Sequence, residues 1–176
     1  MKYLPNLLSA GRLILAPYIF WLMWHRQYGA VLIWFFLSGI SDGIDGWLAR
    51  KWQAQSRLGE MLDPIGDKLL LSGSFLTLAL AGVMEKWLAA LVLGRDLVIL
   101  LFAGAVLLLS KKKVDFPPTW WGKCSTFAQI AYVLALVGNL GGYLPTILPW
   151  LGKMFVLVFL VISSVDYARL ARKRLR

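Results

Sequence analysis

An all-α integral membrane fold is predicted by three features of this sequence. Of its 176 residues, 59% are hydrophobic, and the mean hydropathy is +0.67. Apolar stretches recur along nearly the whole chain, with no polar domain between them. No stretch shows the alternation of a barrel strand, and backbone groups in lipid must be hydrogen-bonded within their own segment, so we expect helices. The chain is therefore predicted to be a single membrane domain, residues 1–176.

Six apolar segments are long enough to cross a bilayer, which takes roughly 17 to 25 helical residues. They cover residues 8–24, 30–47, 65–82, 87–109, 126–140 and 154–170. The fifth is the shortest, and a start at Trp121 would bring it to the required length. Residues 1–10 are predicted to form an interfacial lead-in, with Pro5 opening the first helix.

Lysine and arginine residues are unevenly distributed between the two ends of these segments. Of the 19, Arg26, Lys86 and Lys153 fall in the first, third and fifth connections, and Arg95 lies within the fourth segment. The rest lie on the opposite side. Because basic residues concentrate on the cytoplasmic side of membrane proteins, both termini are expected in the cytoplasm, at the inner or plasma membrane of a bacterium. The net charge of +10 then reflects topology and anionic lipid head groups, and no nucleic-acid partner is expected.

Four aspartates at the cytoplasmic ends of the second and third helices form the candidate site. Asp42 and Asp45 are three residues apart, and Asp63 and Asp67 are four apart, so each pair shares a helix face. The connection 51–62 is expected to bring the two faces together. Four carboxylates this close repel one another and take up protons unless cations balance them. Hard oxygen ligands favour magnesium, manganese or calcium, so the sequence predicts a metal-dependent site at the membrane surface.

A simpler interpretation exists for one of these aspartates. Asp63 precedes Pro64 near the expected start of the third helix, and an aspartate there is often a helix cap. Capping does not account for Asp42 and Asp45, because they occupy the later turns of an apolar helix, where the helix dipole disfavours negative charge.

The spacing of the acidic and small residues resembles the signature of a known family. The pattern D-x-x-D-G-x-x-A-R-x8-G-x3-D-x3-D is complete in this chain, and it resembles the signature of the CDP-alcohol phosphatidyltransferase family. Its fixed positions are Asp42, Asp45, Gly46, Ala49, Arg50, Gly59, Asp63 and Asp67. The six-helix layout extends the resemblance to nearly the whole chain.

This resemblance implies an enzyme of phospholipid biosynthesis. It implies that the four aspartates hold two divalent cations, Mg²⁺ or Mn²⁺, and that Asp67 also acts as the general base. It further implies that CDP-diacylglycerol donates a phosphatidyl group to an alcohol, with release of CMP, and that the enzyme is a homodimer. The residues expected to hold the CDP-lipid are Gly46, Ala49, Arg50, Arg57 and Gly59.

Two further features bear on the alcohol acceptor. Arg95 lies next to Asp96 near the middle of the fourth segment, where a charge usually faces an interior cavity. It belongs either to an anionic substrate pocket or to a structural ion pair. The stretch 122–129 resembles the G-K-x-K-T-x-x-Q segment of phosphatidylglycerophosphate synthases, and the opening segment resembles theirs too. We therefore expect glycerol 3-phosphate as the acceptor, bound by Arg12, Arg95, Lys123 and Thr126. For Arg12 the alternative is an anchor to lipid head groups at the interface.

Two departures from those synthases keep another acceptor open. Ser125 stands where they often carry a second lysine, and Asp96 replaces a more usual glutamate. At both positions the chain resembles the eukaryotic-type cardiolipin synthases of the same family, which use phosphatidylglycerol as the acceptor.

A hypothesis from another class is a membrane transporter with buried acids, which predicts acids distributed along a transmembrane path. Here five of the nine acids lie between Asp42 and Asp67 at one membrane face, which favours surface chemistry. A metal-binding scaffold without turnover is a third hypothesis.

Overall fold

A computed structural model describes the backbone of residues 4–52, 57–109 and 119–174, and the side chains of 14–41, 68–101, 119–170 and 172. Within these residues the chain forms six helices and no strand. They are α1 (Leu4–Trp24), α2 (Tyr28–Trp52), α3 (Arg57–Leu80), α4 (Lys86–Leu109), α5 (Trp120–Leu140) and α6 (Ile147–Arg174). The predicted all-helical fold is therefore confirmed for the described part of the chain.

The described hydrophobic core lies at the end of the bundle where α1 leads into α2, α3 into α4 and α5 into α6. Its fully buried side chains come from different helices and include Ile19, Phe75, Leu88, Val133 and Val156. Since α2 runs away from this end and α3 returns to it, the aspartate-bearing parts of both helices lie at the opposite end.

Small residues let α5 and α6 approach one another closely at two places. A Cβ atom on Gly152 of α6 would come within 3.1 Å of Tyr132 Cα, so the two backbones are in near contact there. Closer to the other end, a Cβ on Gly122 would lie 2.8 Å from Tyr167 Oη. Close backbone approach at small residues is a common way for helices to associate in membranes. It fixes α5 and α6 as a tightly packed antiparallel pair.

Several helix boundaries differ from those predicted. Helix α1 runs without a break from Leu4, with Pro5 as its second residue, so no separate lead-in precedes it within the described residues. Helix α5 begins at Trp120, close to the lengthened prediction. Helix α3 begins at Arg57, so Pro64 is not in its first turn and Asp63 is not its cap. The predicted start of the third segment at residue 65 was wrong because hydropathy marks where an apolar segment begins, whereas this helix begins about two turns earlier. The capping interpretation of Asp63 is excluded with it.

Large apolar side chains cover the outside of the described bundle. Ile14, Phe36, Val98 and Phe127 are all more than half exposed, an unusual surface for a soluble protein. Among the described residues, the segment Ile147–Leu170 is long and apolar enough to cross a membrane, with a mean hydropathy of 2.0. Three other apolar helical segments are shorter, namely Ile14–Trp24, Tyr28–Ser41 and Lys68–Leu80. These surfaces are typical of a membrane-associated protein.

Candidate active site

The aspartate region, as we call residues 42–52 of α2 and 57–67 of α3, is helical in both parts. Both aspartate pairs therefore lie on helices, as their spacings require. Only residues 53–56 separate the two helices, which is a shorter connection than predicted. The predicted metal and CDP-lipid ligands lie outside the described side chains, so their roles stay predictions. These ligands are Asp42, Asp45, Gly46, Ala49, Arg50, Arg57, Gly59, Asp63 and Asp67.

A groove of about 340 Å³ opens next to the aspartate region, between α2, α3 and α5. We call it the central groove. Its lining includes Ser38 of α2 and Leu71 of α3, together with Thr126 of α5. Ser38 precedes Asp42 by about one helical turn, and Leu71 follows Asp67 by about one turn. The two helices that carry the aspartate pairs thus share the walls of one groove.

A cluster of polar side chains joins α3, α4 and α6 inside the apolar bundle. Asp96 accepts a hydrogen bond from Arg95 Nη1 at 2.6 Å and lies 3.1 Å from Lys68 Nζ. Arg95 Nη2 donates to Ser163 Oγ, and Arg95 Cζ lies 5.4 Å from the centre of the Tyr167 ring. We call these five residues the polar clasp. The structure therefore contains the Arg95–Asp96 ion pair, while a contact between Arg95 and an acceptor stays a prediction.

The ion pair at the centre of the polar clasp is mostly buried. The Arg95 side chain is 9% exposed and the Asp96 side chain 12%. Buried charges are tolerated when they are paired and hydrogen-bonded, and removal of one partner leaves the other uncompensated. The charge of Arg95 is therefore balanced by Asp96, and the charge of Asp96 is balanced by both Arg95 and Lys68.

Two α5 residues that were both predicted to bind the acceptor line different grooves. Lys123 is exposed and lines a groove of about 650 Å³ between α5 and α6, which we call the α5–α6 groove. Thr126 lines the central groove, and its Oγ1 donates to Gly122 O at 3.2 Å. Arg95 lies in the polar clasp, and the side chain of Arg12 is outside the described set. The structure thus does not bring the described acceptor candidates into one pocket.

Ser125 and Gln129 form a buried polar contact on the same helix. Ser125 is fully buried and Gln129 is 1% exposed, and Gln129 Nε2 donates to Ser125 Oγ at 3.4 Å. Gln129 is therefore part of the packed interior and does not face a groove. A lysine at position 125 would begin in this packed interior, where a charge is costly unless it is paired.

Within the residues whose side chains are described, no three His, Cys, Asp or Glu side chains come together as a metal site. The candidate metal ligands remain the four aspartates predicted from the sequence. Both aspartate pairs lie on helices, and carboxylate oxygens are ligands that suit magnesium or manganese.

Three members of the polar clasp were missed by the sequence analysis, namely Lys68, Ser163 and Tyr167. Each carried a signal in the sequence. Lys68 directly follows Asp67 at the start of an apolar stretch, and Ser163 and Tyr167 interrupt the apolar run of α6 at helical spacing. Serine within an apolar membrane helix often hydrogen-bonds to a neighbouring helix, so this spacing could have indicated a contact.

Comparison with known proteins gives the class to which this fold and site belong. Residues 2–165 match the sequence profile of the family described as CDP-alcohol phosphatidyltransferase. The match covers nearly the whole chain, including both aspartate pairs. The chain therefore belongs to the CDP-alcohol phosphatidyltransferase family, membrane-associated transferases of phospholipid biosynthesis.

Individual relatives carry two different names within this family. A cardiolipin synthase (CMP-forming) of Streptomyces coelicolor is 30% identical over 162 residues, which are 86% of this chain and 73% of the relative. A CDP-diacylglycerol–glycerol-3-phosphate 3-phosphatidyltransferase of Aquifex aeolicus is 32% identical over 168 residues, 93% of this chain and 92% of the relative. These names describe enzymes of lipid synthesis, so they favour an enzyme over the transporter hypothesis.

Some eukaryotic relatives are much longer than this chain. A probable cardiolipin synthase (CMP-forming) of Drosophila melanogaster is 34% identical over 116 residues, which are 65% of this chain and 34% of the relative. The chain thus spans about a third of the length of that relative.

Proposed function

We propose that this protein transfers a phosphatidyl group from CDP-diacylglycerol to glycerol 3-phosphate, giving phosphatidylglycerophosphate and CMP. One observation carries the proposal most strongly. All eight fixed positions of the family pattern lie on two consecutive helices, and those helices share the walls of the central groove. Nucleotide, lipid and acceptor then meet where the groove adjoins the aspartate region.

The aspartate pairs are the proposed ligands of two divalent cations. When bound, such cations neutralise the diphosphate of the donor and stabilise the departing phosphate. Asp42 and Asp45 supply carboxylates from α2, and Asp63 and Asp67 supply them from α3. Because residues three or four apart share a helix face, positions 42 and 45 continue the face of α2 on which Ser38 meets the central groove.

Residues around the aspartates have proposed roles in binding the donor. The guanidinium groups of Arg50 and Arg57 balance the remaining phosphate charge, and guanidinium is well shaped for phosphate oxygens. The lack of bulk at Gly46, Ala49 and Gly59 leaves space for the nucleotide. These roles follow from family membership and from the positions of the residues on α2 and α3.

The chemical step is a substitution at phosphorus. The acceptor hydroxyl oxygen forms a bond to the phosphorus that bears the diacylglycerol, and the bond from that phosphorus to the oxygen of CMP breaks. CMP leaves with the electron pair of that bond. The proton of the attacking hydroxyl passes to the carboxylate of Asp67, which acts as the general base.

The proposed topology has all six helices crossing the membrane, with both termini and the aspartate region in the cytoplasm. Two observations support it. Apolar side chains face outward on the described helices, and most basic residues lie toward the aspartate end, in the helix ends there, in the segment 110–119 and in the C-terminal tail. A homodimer is proposed from family membership alone.

Glycerol 3-phosphate is the proposed acceptor because the Aquifex relative that bears this activity in its name covers almost the whole chain. Of the four residues expected to bind the acceptor, Arg12, Arg95 and Thr126 remain proposed contacts, and of these Thr126 lines the central groove. Lys123 is not retained as an acceptor contact, because it lines the separate α5–α6 groove.

Phosphatidylglycerol is the second candidate acceptor, which would make the protein a cardiolipin synthase. The Streptomyces relative supports it, and so does the buried position of Ser125, which leaves that site without a second cation.

A direct assay separates the two acceptors. The purified protein is incubated with CDP-diacylglycerol, Mg²⁺ and either labelled glycerol 3-phosphate or labelled phosphatidylglycerol, and the lipid products are resolved by thin-layer chromatography. We expect phosphatidylglycerophosphate and one CMP per product molecule. Cardiolipin from phosphatidylglycerol, with no product from glycerol 3-phosphate, would overturn the acceptor but leave the donor chemistry standing. Absence of CMP with both acceptors would overturn the transferase itself.

A further inference from the structure

We propose that the α5–α6 groove binds one acyl chain of an anionic phospholipid from the surrounding bilayer, with the lipid phosphate paired to Lys123. The groove encloses about 650 Å³ and is lined almost wholly by apolar side chains. It is separate from the central groove, since Lys123 lines the former and Thr126 the latter. The lipid in question is therefore neither the nucleotide-linked donor nor the acceptor.

The shape of the groove suits a single flexible hydrocarbon chain. Aromatic rings of Phe127, Phe155 and Phe159 form its sides, and the small residues Ala131 and Gly152 lie along it. A Cβ on Gly152 would lie 3.1 Å from Tyr132 Cα, so a larger residue there would push the two helices apart. The close approach of α5 and α6 thus produces a groove with a shallow floor and apolar walls.

The length of the groove matches one leaflet of a bilayer. Its lining runs along α5 from Trp120 to Ala131, a rise of about 16 Å at 1.5 Å per residue. Half of a hydrocarbon core of roughly 30 Å is about 15 Å. An acyl chain that begins at the membrane surface near Trp120 would therefore fill the groove to its far end.

The charge at one end of the groove selects the head group. Lys123 is exposed in the first turn of α5, beside Trp120, which is 73% exposed, as is typical of an aromatic residue at the membrane surface. Lys123 is the only charged residue in the described lining, and no carboxylate there can meet the ammonium group of a zwitterionic lipid. An anionic phosphate with no cation of its own is the best partner for this end.

Cys124 gives a native reporter for the proposed lipid. It is the only cysteine of the chain, it lines the groove, and it is partly exposed. The rate of its alkylation by N-ethylmaleimide is measured by intact mass spectrometry. The protein is held in nanodiscs of phosphatidylcholine, with or without phosphatidic acid, a lipid that neither proposed reaction consumes. We expect phosphatidic acid to slow alkylation about fivefold, the effect of one lysine near an anionic lipid.

Two variants and two controls decide the outcome. Lys123→Gln removes the cation, and Ala131→Trp fills the groove, so each should abolish the slowing by phosphatidic acid. Arg172→Gln removes an exposed cation elsewhere on α6, and Ala90→Trp adds the same bulk on exposed α4, so both should keep it. The slowing is compared within each variant, so changes in the basal reactivity of Cys124 cancel. Thermal unfolding of each variant verifies that it is folded.

Several results would overturn the proposal. Slowing that persists in Lys123→Gln would be a general effect of surface charge. Slowing by CDP-diacylglycerol but not by phosphatidic acid would assign the groove to the donor. No lipid effect, with a change from dimer to monomer in Ala131→Trp by light scattering, would assign it to a second copy of the chain. None of these readouts uses turnover, so the proposed reaction can fail without affecting this test.

Discussion

Lys68 Nζ lies 3.1 Å from Asp96 Oδ2, so the residue that directly follows Asp67 on α3 is paired with α4. Asp96 also pairs with Arg95, which reaches Ser163 on α6. The aspartate-bearing end of α3 is thus connected to two helices that carry none of the predicted metal ligands. Polar contacts between helices within an apolar bundle resist sliding, and these contacts stabilise the register of α3 at Asp67.

Replacement of Asp96 by asparagine should strongly destabilise the protein. Arg95 would keep its buried charge without the carboxylate that balances it, and loss of one partner of a buried pair costs about 3 kcal/mol or more. Thermal unfolding of the purified protein in detergent measures the effect. Glu85→Gln, which breaks a more exposed ion pair, is the comparison. If Asp96→Asn lowers the Tm by no more than Glu85→Gln does, the prediction that Asp96 balances a buried charge is wrong.

The pair between Glu85 and Lys153 should contribute a small, pH-dependent stability. Glu85 lies in the connection between α3 and α4, and Lys153 Nζ donates a hydrogen bond to Glu85 Oε1 at 2.7 Å. This hydrogen bond lowers the pKa of the Glu85 carboxyl. Stability from a lowered pKa is present above the unfolded pKa of about 4.3 and is lost as pH falls through the folded pKa. Because Glu85 is 43% exposed, we expect less than about 1 kcal/mol.

The test compares Tm between wild type and Glu85→Gln across pH. The difference should be small at pH 7 and should shrink as the pH falls below about 4.3. A difference that grows on acidification would show that the carboxyl is favoured in its protonated form in the folded protein.

Asp67→Asn should remove turnover while binding of metal and CDP-lipid largely persists. The amide keeps the size of the side chain but cannot accept the proton, and loss of a general base typically lowers the rate about 10²- to 10⁴-fold. CMP release measures turnover, and calorimetry with CDP-diacylglycerol in micelles measures binding. Full activity would exclude the general-base role, and lost binding with lost turnover would make Asp67 chiefly a ligand.

Asp42→Asn should weaken metal binding itself. The substitution removes one negatively charged ligand from the proposed cation site. The Mg²⁺ concentration that gives half-maximal activity should therefore rise at least about tenfold. Asp166→Asn on α6 is the matched control, since it removes an aspartate far from the aspartate region in the sequence. An unchanged Mg²⁺ requirement in Asp42→Asn would exclude ligation by that residue.

The helices could be predicted from the sequence because each contains a largely apolar stretch of several turns, whereas their ends could not. The start of α3 at Arg57 lies in polar sequence, so hydropathy placed Pro64 wrongly in the first turn. The pairing of Lys68 with Asp96 depends on how α3 and α4 are rotated about their axes, which no local pattern encodes. For the same reason Lys123 and Thr126, close in sequence, were assigned to one pocket although they line two grooves.

The central claim is that the aspartates of α2 and those of α3 bind the same pair of cations. Electron paramagnetic resonance of bound Mn²⁺ tests this claim most directly. We predict two Mn²⁺ ions per chain, about 3.5–4 Å apart, with an exchange-coupled spectrum. Asp42→Asn on α2 and Asp63→Asn on α3 should each abolish the coupling. A coupled pair that is lost in Asp42→Asn but fully retained in Asp63→Asn would contradict a shared site.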